Sequence, residues 1–305
     1  MPATPVYSAR FFTLLRITLL VMLVTSVGGQ SATAQTEETI IFSSDRDTDG
    51  RWQLYAMDGN GDNVRRLYES EGIDFDASLS PDGTTLLFAR RNERGYSEIF
   101  TAALPDGDEV RLIEGTNPAW SPDGTEIAYT TIENNNAEVF LMSATGFERR
   151  PFTSNPARDY APAWSPDGEF IAFKSDRETE TDADSGTGLY IALKDRTGLR
   201  RLTDTDDATH APAWSPDGSE ILFTRRVDGR SAIHVVDVET GDTRRLLENE
   251  TSSLKPRWAA GGTDIVFVSI VDSQPDIFRM DADGENLIRL TDSAGWDWSP
   301  SVFAP

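Results

Sequence analysis

Side chains able to do chemistry recur at one kind of place in this sequence. Asp74 with Phe75, Asp159 with Tyr160, His210, Leu254 and Asp297 with Trp298 each stand a few residues ahead of the same repeated slot, described below. Carboxylates beside aromatic rings suit a polar or cationic ligand or a protein loop. A facing pair of them could also work as general acid and base on a glycan. The plain alternative is that these aspartates bond to main-chain N–H groups of adjacent blades, as Asp often does in turns. Spacing along the chain does not choose between these uses.

Other chemistries are excluded or incomplete. The chain contains no Cys, so disulfides, thiolate metal sites and a cysteine-borne lipid anchor are ruled out. No G-x-S-x-G elbow occurs, which removes an appended serine hydrolase. The repeated SPDG step is one residue short of a sialidase-type Asp box. His210 and His234 are the two imidazoles, and His234 alternates into a strand. Asp45 to Gly50 reads D-x-D-x-D-G, the start of a calcium loop, but its twelfth position is Ala56 where Glu is needed, so a hairpin turn is expected there. The acidic run from Asp176 to Asp184 reads as a solvated loop. We therefore expect no cofactor, no metal site and no catalytic residue. The alternative is a glycosidase or lyase that uses Asp74, Asp159, His210 and Asp297 at a channel mouth.

The elements that must position these residues are repeats. LSPDGTTLLF, WSPDGTEIAY, WSPDGEFIAF, WSPDGSEILF and WAAGGTDIVF put Leu79, Trp120, Trp164, Trp214 and Trp258 in one slot, and DWSPSV puts Val302 in a sixth. Each unit divides into four short strands separated by turn residues. Second strands fall at Ile40, Leu86, Ile127, Ile171, Ile221 and Ile265, and fourth strands carry Arg-rich pairs such as Arg65-Arg66, Arg149-Arg150 and Arg244-Arg245. Six copies of each strand predict an all-β, six-bladed β-propeller. The first copy lacks an opening strand and the last segment is a spare one, so the C-terminal strand is expected to complete the N-terminal blade.

Proline orders the strands within a blade. Pro118, Pro162, Pro212, Pro256 and Pro300 share one position of the first strand, and Pro cannot donate to a ladder, so this strand is an edge and lines the channel. The Arg-rich fourth strand becomes the outer edge, where charge keeps foreign strands away. In SPDG, Pro pre-sets one φ and Gly supplies a positive one. The tryptophan before it is read as packing between blades. Longer connections lie on the face opposite the SPDG turns. That face is the expected binding mouth, lined by Asp74, Phe75, Asp159, Tyr160, His210, Asp297 and Trp298.

The repeated x-P-A-W-S-P-D-G-x-x-I-A-F, followed by S-D-R, resembles the TolB-like, WD40-like β-propeller repeat over essentially all of residues 35–305. The resemblance implies six blades, an extracytoplasmic location and protein contacts at the channel mouth. The small α/β domain that precedes the propeller in TolB has no expected counterpart in the five residues from Gln35 to Thr39 that precede Ile40.

Arg10, Arg16, the apolar run Ile17 to Val27 and Ala32-Thr33-Ala34 together read as a signal peptide over residues 1–34, cut before Gln35. The uninterrupted apolar stretch is shorter than the roughly 20 residues a spanning helix needs. Cleavage leaves 26 Lys plus Arg against 51 Asp plus Glu, a net charge of −25. Such a surface repels nucleic acid and anionic lipid. The expected product is a periplasmic or secreted monomer with a protein partner. A small polar ligand or a divalent cation is the lesser alternative.

Overall fold

The computed structural model describes residues 38–48, 50–105, 108–177, 187–204, 212–247 and 251–305. The leader at residues 1–34, His210, and most of the acidic run after Arg177 lie outside them. The described residues form six four-stranded antiparallel sheets. Their innermost strands are Asp297–Phe303, Ile73–Leu79, Thr116–Trp120, Asp159–Trp164, Ala213–Trp214 and Ser252–Trp258. Each contacts the next, and the last returns to the first, so the ring is closed. This is the expected six-bladed propeller.

Closure follows the expected route. Asp297–Phe303 pairs antiparallel with Thr39–Ser44, with Ile40 opposite Val302 and Ser44 opposite Asp297. The blade is completed by Gln53–Asp58 and Arg65–Arg66. Second and third strands are apolar on both faces because each blade is covered by a neighbour on either side. Ile40, Phe42, Leu86, Phe88, Ile127, Ile171, Ile221 and Ile265 are fully buried. The cores lie between blades: Trp164 packs with Ala128, Val139 and Phe173, and Trp258 with Leu222, Ile233 and Phe267. Tryptophan thus fills the inter-blade gap, as its position before the turn suggests. Five of the six fourth strands are two or three residues long, Arg150–Pro151, Arg200–Arg201 and Ile288–Arg289 being two each, while Glu109–Glu114 runs for six. Their arginines face acidic partners, with Arg149 2.8 Å from Glu133 and Arg244 3.1 Å from Glu220.

The SPDG turns are built alike. Ser121 Oγ donates to Asp123 Oδ1 at 2.6 Å, the Glu126 N–H donates to Ser121 Oγ at 2.9 Å, and Gly124 sits at φ 70°. Serine and aspartate therefore bond the turn closed while glycine takes the left-handed conformation. Successive turns also stack on one another: a Cβ on Gly168 would lie 3.2 Å from Pro122, and one on Gly83 would lie 2.7 Å from the Phe303 ring. The C-terminal phenylalanine closes this circle of turns.

Candidate functional site

Every first strand with its full length described carries a β-bulge. The pairing register shifts between Phe75 and Ser78, Thr116 and Ala119, Tyr160 and Ala163, and Leu254 and Arg257, and a matching shift lies between Ile41 and Ser43 in the closing blade. In each bulge one residue has positive φ: Asp76 at 50°, Asn117 at 49°, Ala161 at 56°, Lys255 at 49° and Ser299 at 52°. In four of these five blades that residue precedes proline, which already bars it from the right-handed helical region. Only Asn and Asp adopt positive φ readily, so Ala161, Lys255 and Ser299 hold a conformation that the surrounding sheet must impose.

The bulge separates two sets of side chains. Before it stand the aspartates expected at the mouth, and they are sequestered. Asp74, Asp159 and Asp297 are fully buried, each clamped by an arginine of the adjoining strand region: Arg90 at 2.6 Å, Arg177 at 2.8 Å and Arg46 at 2.8 Å. Each guanidinium also lies over two aromatic rings of its own blade, Arg177 at 5.1 Å from Phe173 and 5.0 Å from Tyr190, with Arg46 and Arg90 placed likewise. Arg46 and Arg177 are the arginines of the S-D-R motif. Carboxylate below and rings around desolvate and neutralise the cation together. The partner of these aspartates is therefore an arginine of the same blade rather than a main-chain group of the next. Trp298 packs edge-on against Trp52 at 6.4 Å, and Phe75 is half-buried.

At the bulge and beyond it lies a central cavity of about 860 Å³. Of the six expected site residues that are described, Tyr160 alone lines it. Its outer end is ringed by Pro81, Pro122, Pro166 and Pro216 of the turns, and by Trp120, Trp164, Trp214, Trp258 and Phe303. The cavity therefore reaches the SPDG face, opposite to the face with the long connections. Compact turns leave that mouth uncovered, and the slot tryptophans serve both the inter-blade core and the cavity wall. Trp214 Nε1 donates to the Ala163 carbonyl at 3.1 Å, which fixes one indole across a blade boundary.

The inner end of the cavity is polar. Lys255 Nζ lies 2.5 Å from Asp76 Oδ1 and donates to Ser299 Oγ at 2.6 Å, while Asn117 Nδ2 donates to Asp76 Oδ2 at 3.2 Å. Four bulge residues from four blades thus link across the channel. Burial opposes ionisation of Asp76, but Lys255, Ser299 and Arg257 outweigh it and hold the carboxyl below its ordinary range. Arg257 is depressed by burial despite Asp76. Lys174 is 5% exposed, and its ammonium sits 4.7 Å over the Tyr160 ring. Burial pushes it down to about 8. Sequence reading missed Asp76, Lys174, Lys255 and Arg257. The one sequence signal of Lys174 is a charge placed directly after the apolar run Ile171 to Phe173 of a second strand.

Elsewhere the chemistry is structural. Asp47 accepts from Tyr55 Oη at 2.9 Å, and Asp45 accepts from the Trp296 N–H at 2.7 Å, so two acids of the D-x-D-x-D-G stretch serve the loop itself. His234 is buried against Phe223, its Nδ1 3.2 Å from the Ala232 carbonyl oxygen, and burial lowers its pKa. Among the described residues, no three His, Asp or Glu side chains converge as a metal site would require. No helix among them is long and apolar enough to cross a membrane.

Comparison with known proteins agrees with the blades. The Tol-Pal system protein TolB of Anaeromyxobacter sp. (strain K) is 33% identical over 113 residues, 36% of this chain, and the Protein TolB homolog of Chlorobaculum tepidum is 29% identical over 118 residues. The match spans 26% of the length of these relatives. Among solved structures, TolB from Acinetobacter baumannii superposes with a TM-score of 0.72 at 19% identity, covering 87% of this chain and 66% of the other. An oligogalacturonate lyase in complex with manganese gives 0.58 at 18% identity, covering 82% and 73%. These structural likenesses bear on the fold alone. The sequence matches the TolB beta propeller domain over residues 110–183 and 187–304, more than half of the chain. The chain therefore belongs to the TolB β-propeller domain family.

Proposed function

We propose that this chain is an exported, non-catalytic platform that docks a protein segment into the central cavity from the SPDG face. The observation that carries this reading is the mouth itself: four indoles and Phe303 surround one opening on a rigid ring. Tryptophans at the rim of a partly enclosed, well-supported pocket are the usual anchors of protein recognition. Relatives that are Tol-Pal system proteins support a protein partner in the cell envelope, and the sequence-predicted leader supports export to the periplasm or beyond. The buried Asp74, Asp159 and Asp297 belong to the scaffold in this reading, and Tyr160 belongs to the site. Their pairing with arginine also takes from the lyase reading the free carboxylates that it needs.

Capture from envelope extract tests the reading. The mature protein should retain a defined set of proteins that a folded Trp214→Ala/Tyr160→Ala variant loses. Retention of the same set by both would rule out the cavity as the docking site.

A further inference from the structure

The charge inside the cavity is opposite to the charge of the molecule. The chain has 25 arginines but three lysines, and two of the three, Lys174 and Lys255, line the channel. Among the described residues, the acidic and basic side chains that line it are Asp76, Lys174, Lys255 and Arg257. Lys255 is satisfied by Asp76 and Ser299. Arg257 donates to the carbonyl of Pro256 at 2.9 Å and feels the charge of Asp76, but among the described residues no carboxylate forms an ion pair or hydrogen bond with it. Lys174 is more than nine-tenths buried and meets the Tyr160 ring, and among the described residues no carboxylate or hydrogen-bond acceptor reaches its ammonium. A buried ammonium without an anion is costly, and proteins rarely keep one without a use. Among the described residues the cavity thus holds three cations against one carboxylate, inside a chain of net charge −23.

We propose that the cavity is a carboxylate-binding site, in which Lys174 and Arg257 supply the charge and the Tyr160 ring the wall. This goes beyond the docking reading and does not depend on it. The carboxylate comes either from a free organic acid or from an acidic side chain inserted by a docked protein, and both enter through the indole-lined mouth. Lysine suits this position because its point charge can turn toward an incoming group, while the guanidinium of Arg257 offers a fork that a carboxylate fits. The low pKa of Lys174 fits an ammonium awaiting a counter-charge, since an anion beside it would raise that value.

Titration calorimetry of the mature protein at pH 7 and low salt tests the site with malonate, N-acetylglutamate amide and, as an uncharged match, malonamide. Both acids should bind with a dissociation constant below about 1 mM and malonamide should not. Lys174→Met and Arg257→Met should each weaken binding at least about tenfold, as loss of one buried charge partner does, and Arg149→Met on the outer strand should not. Tighter malonate identifies a free acid as the source, and tighter N-acetylglutamate amide an inserted side chain. Amine acetylation read by mass spectrometry keeps the test independent of variant folding. Saturating acid should slow labelling of Lys174 several-fold and leave Lys194 unchanged. Absence of binding by both acids, binding indifferent to Lys174, or unprotected Lys174 under saturating acid would each overturn the proposal, whatever the outcome of the capture experiment.

Discussion

Arg177 Nη2 lies 2.8 Å from both carboxylate oxygens of Asp159, beneath two aromatic rings and out of reach of solvent on the aspartate side. The arrangement recurs with Asp297 and Arg46 and, with the arginine shifted in sequence, with Asp74 and Arg90. An acid that opens one first strand is thereby tied to the end of the second strand of the same blade. Asp159→Asn should destabilise the protein by about 3 kcal/mol or more, because it leaves Arg177 desolvated and unpaired. Arg177→Met should cost a similar amount, and the double variant less than the sum of the two, since the second change removes a charge already stranded. Urea unfolding measures all three. Single variants within about 0.5 kcal/mol of wild type, the range of ordinary surface changes, would show that the clamp does not hold the blade.

Acid sensitivity should come from the turns. The carboxyls of Asp82, Asp123, Asp167 and Asp217 are all held below the ordinary range, in each case first by the serine hydroxyl two residues earlier, and Asp123 is lowered to about 2. A depressed carboxylate contributes stability that is fully present above its unfolded value of about 3.9 and is lost as pH falls through the folded value. The melting temperature should therefore fall between pH 5 and about 2 more steeply for wild type than for a variant with all four changed to Asn. Equal slopes would place the acid-labile groups elsewhere.

Ring closure rests on Asp297–Phe303, which pairs with Thr39–Ser44 and sets Phe303 over Gly83 of the next blade. Ending the chain after Ser293 removes a complete first strand, strips Ile40 and Ile41 of cover and leaves Arg46 without Asp297. The loss should reach several kcal/mol, a large part of the roughly 5 to 15 that holds a domain together. A melting temperature within one or two degrees of the intact protein would contradict this closure.

Blade number, strand order, the channel-facing proline strand and the closing strand were all legible, because each depends on a pattern of small, apolar and turn-forming residues repeated six times. The interior of the channel was not. Asp76, Asn117 and Lys255 fill the same bulge position as Ala161 and Ser299, so no residue type repeats there and periodicity carries no signal. The aspartates were visible but their use was not, since the arginines that bury them lie across a strand pair, 16 to 18 residues away within the chain for Asp74 and Asp159 and 251 for Asp297. Loop length pointed to the face opposite the cavity mouth. The ion pairs of Asp74, Asp159 and Asp297 lie before the bulge, whereas the compact SPDG turns surround the cavity.

The docking face can be separated from the rim by two pairs of variants. Trp214 is half-buried, fixed by its bond to the Ala163 carbonyl, and Tyr160 stands deeper in the same cavity beneath Lys174. A partner that fills the cavity must desolvate both rings, and anchors of this type each contribute on the order of 2 kcal/mol. Replacing both with Ala should therefore weaken a captured partner by more than about a hundredfold. Arg149, just ahead of the outer strand Arg150–Pro151, and Arg244, in the outer strand Thr243–Arg245, are exposed and pair with Glu133 and Glu220, contacts worth at most about 1 kcal/mol. Replacing them should leave affinity within about threefold. Because Trp214 also packs between blades, circular dichroism and the melting temperature of each variant must first match those of a folded ring. With that established, a partner that binds the cavity pair as well as wild type but loses the rim pair would move the docking surface to the outer edge of the blades.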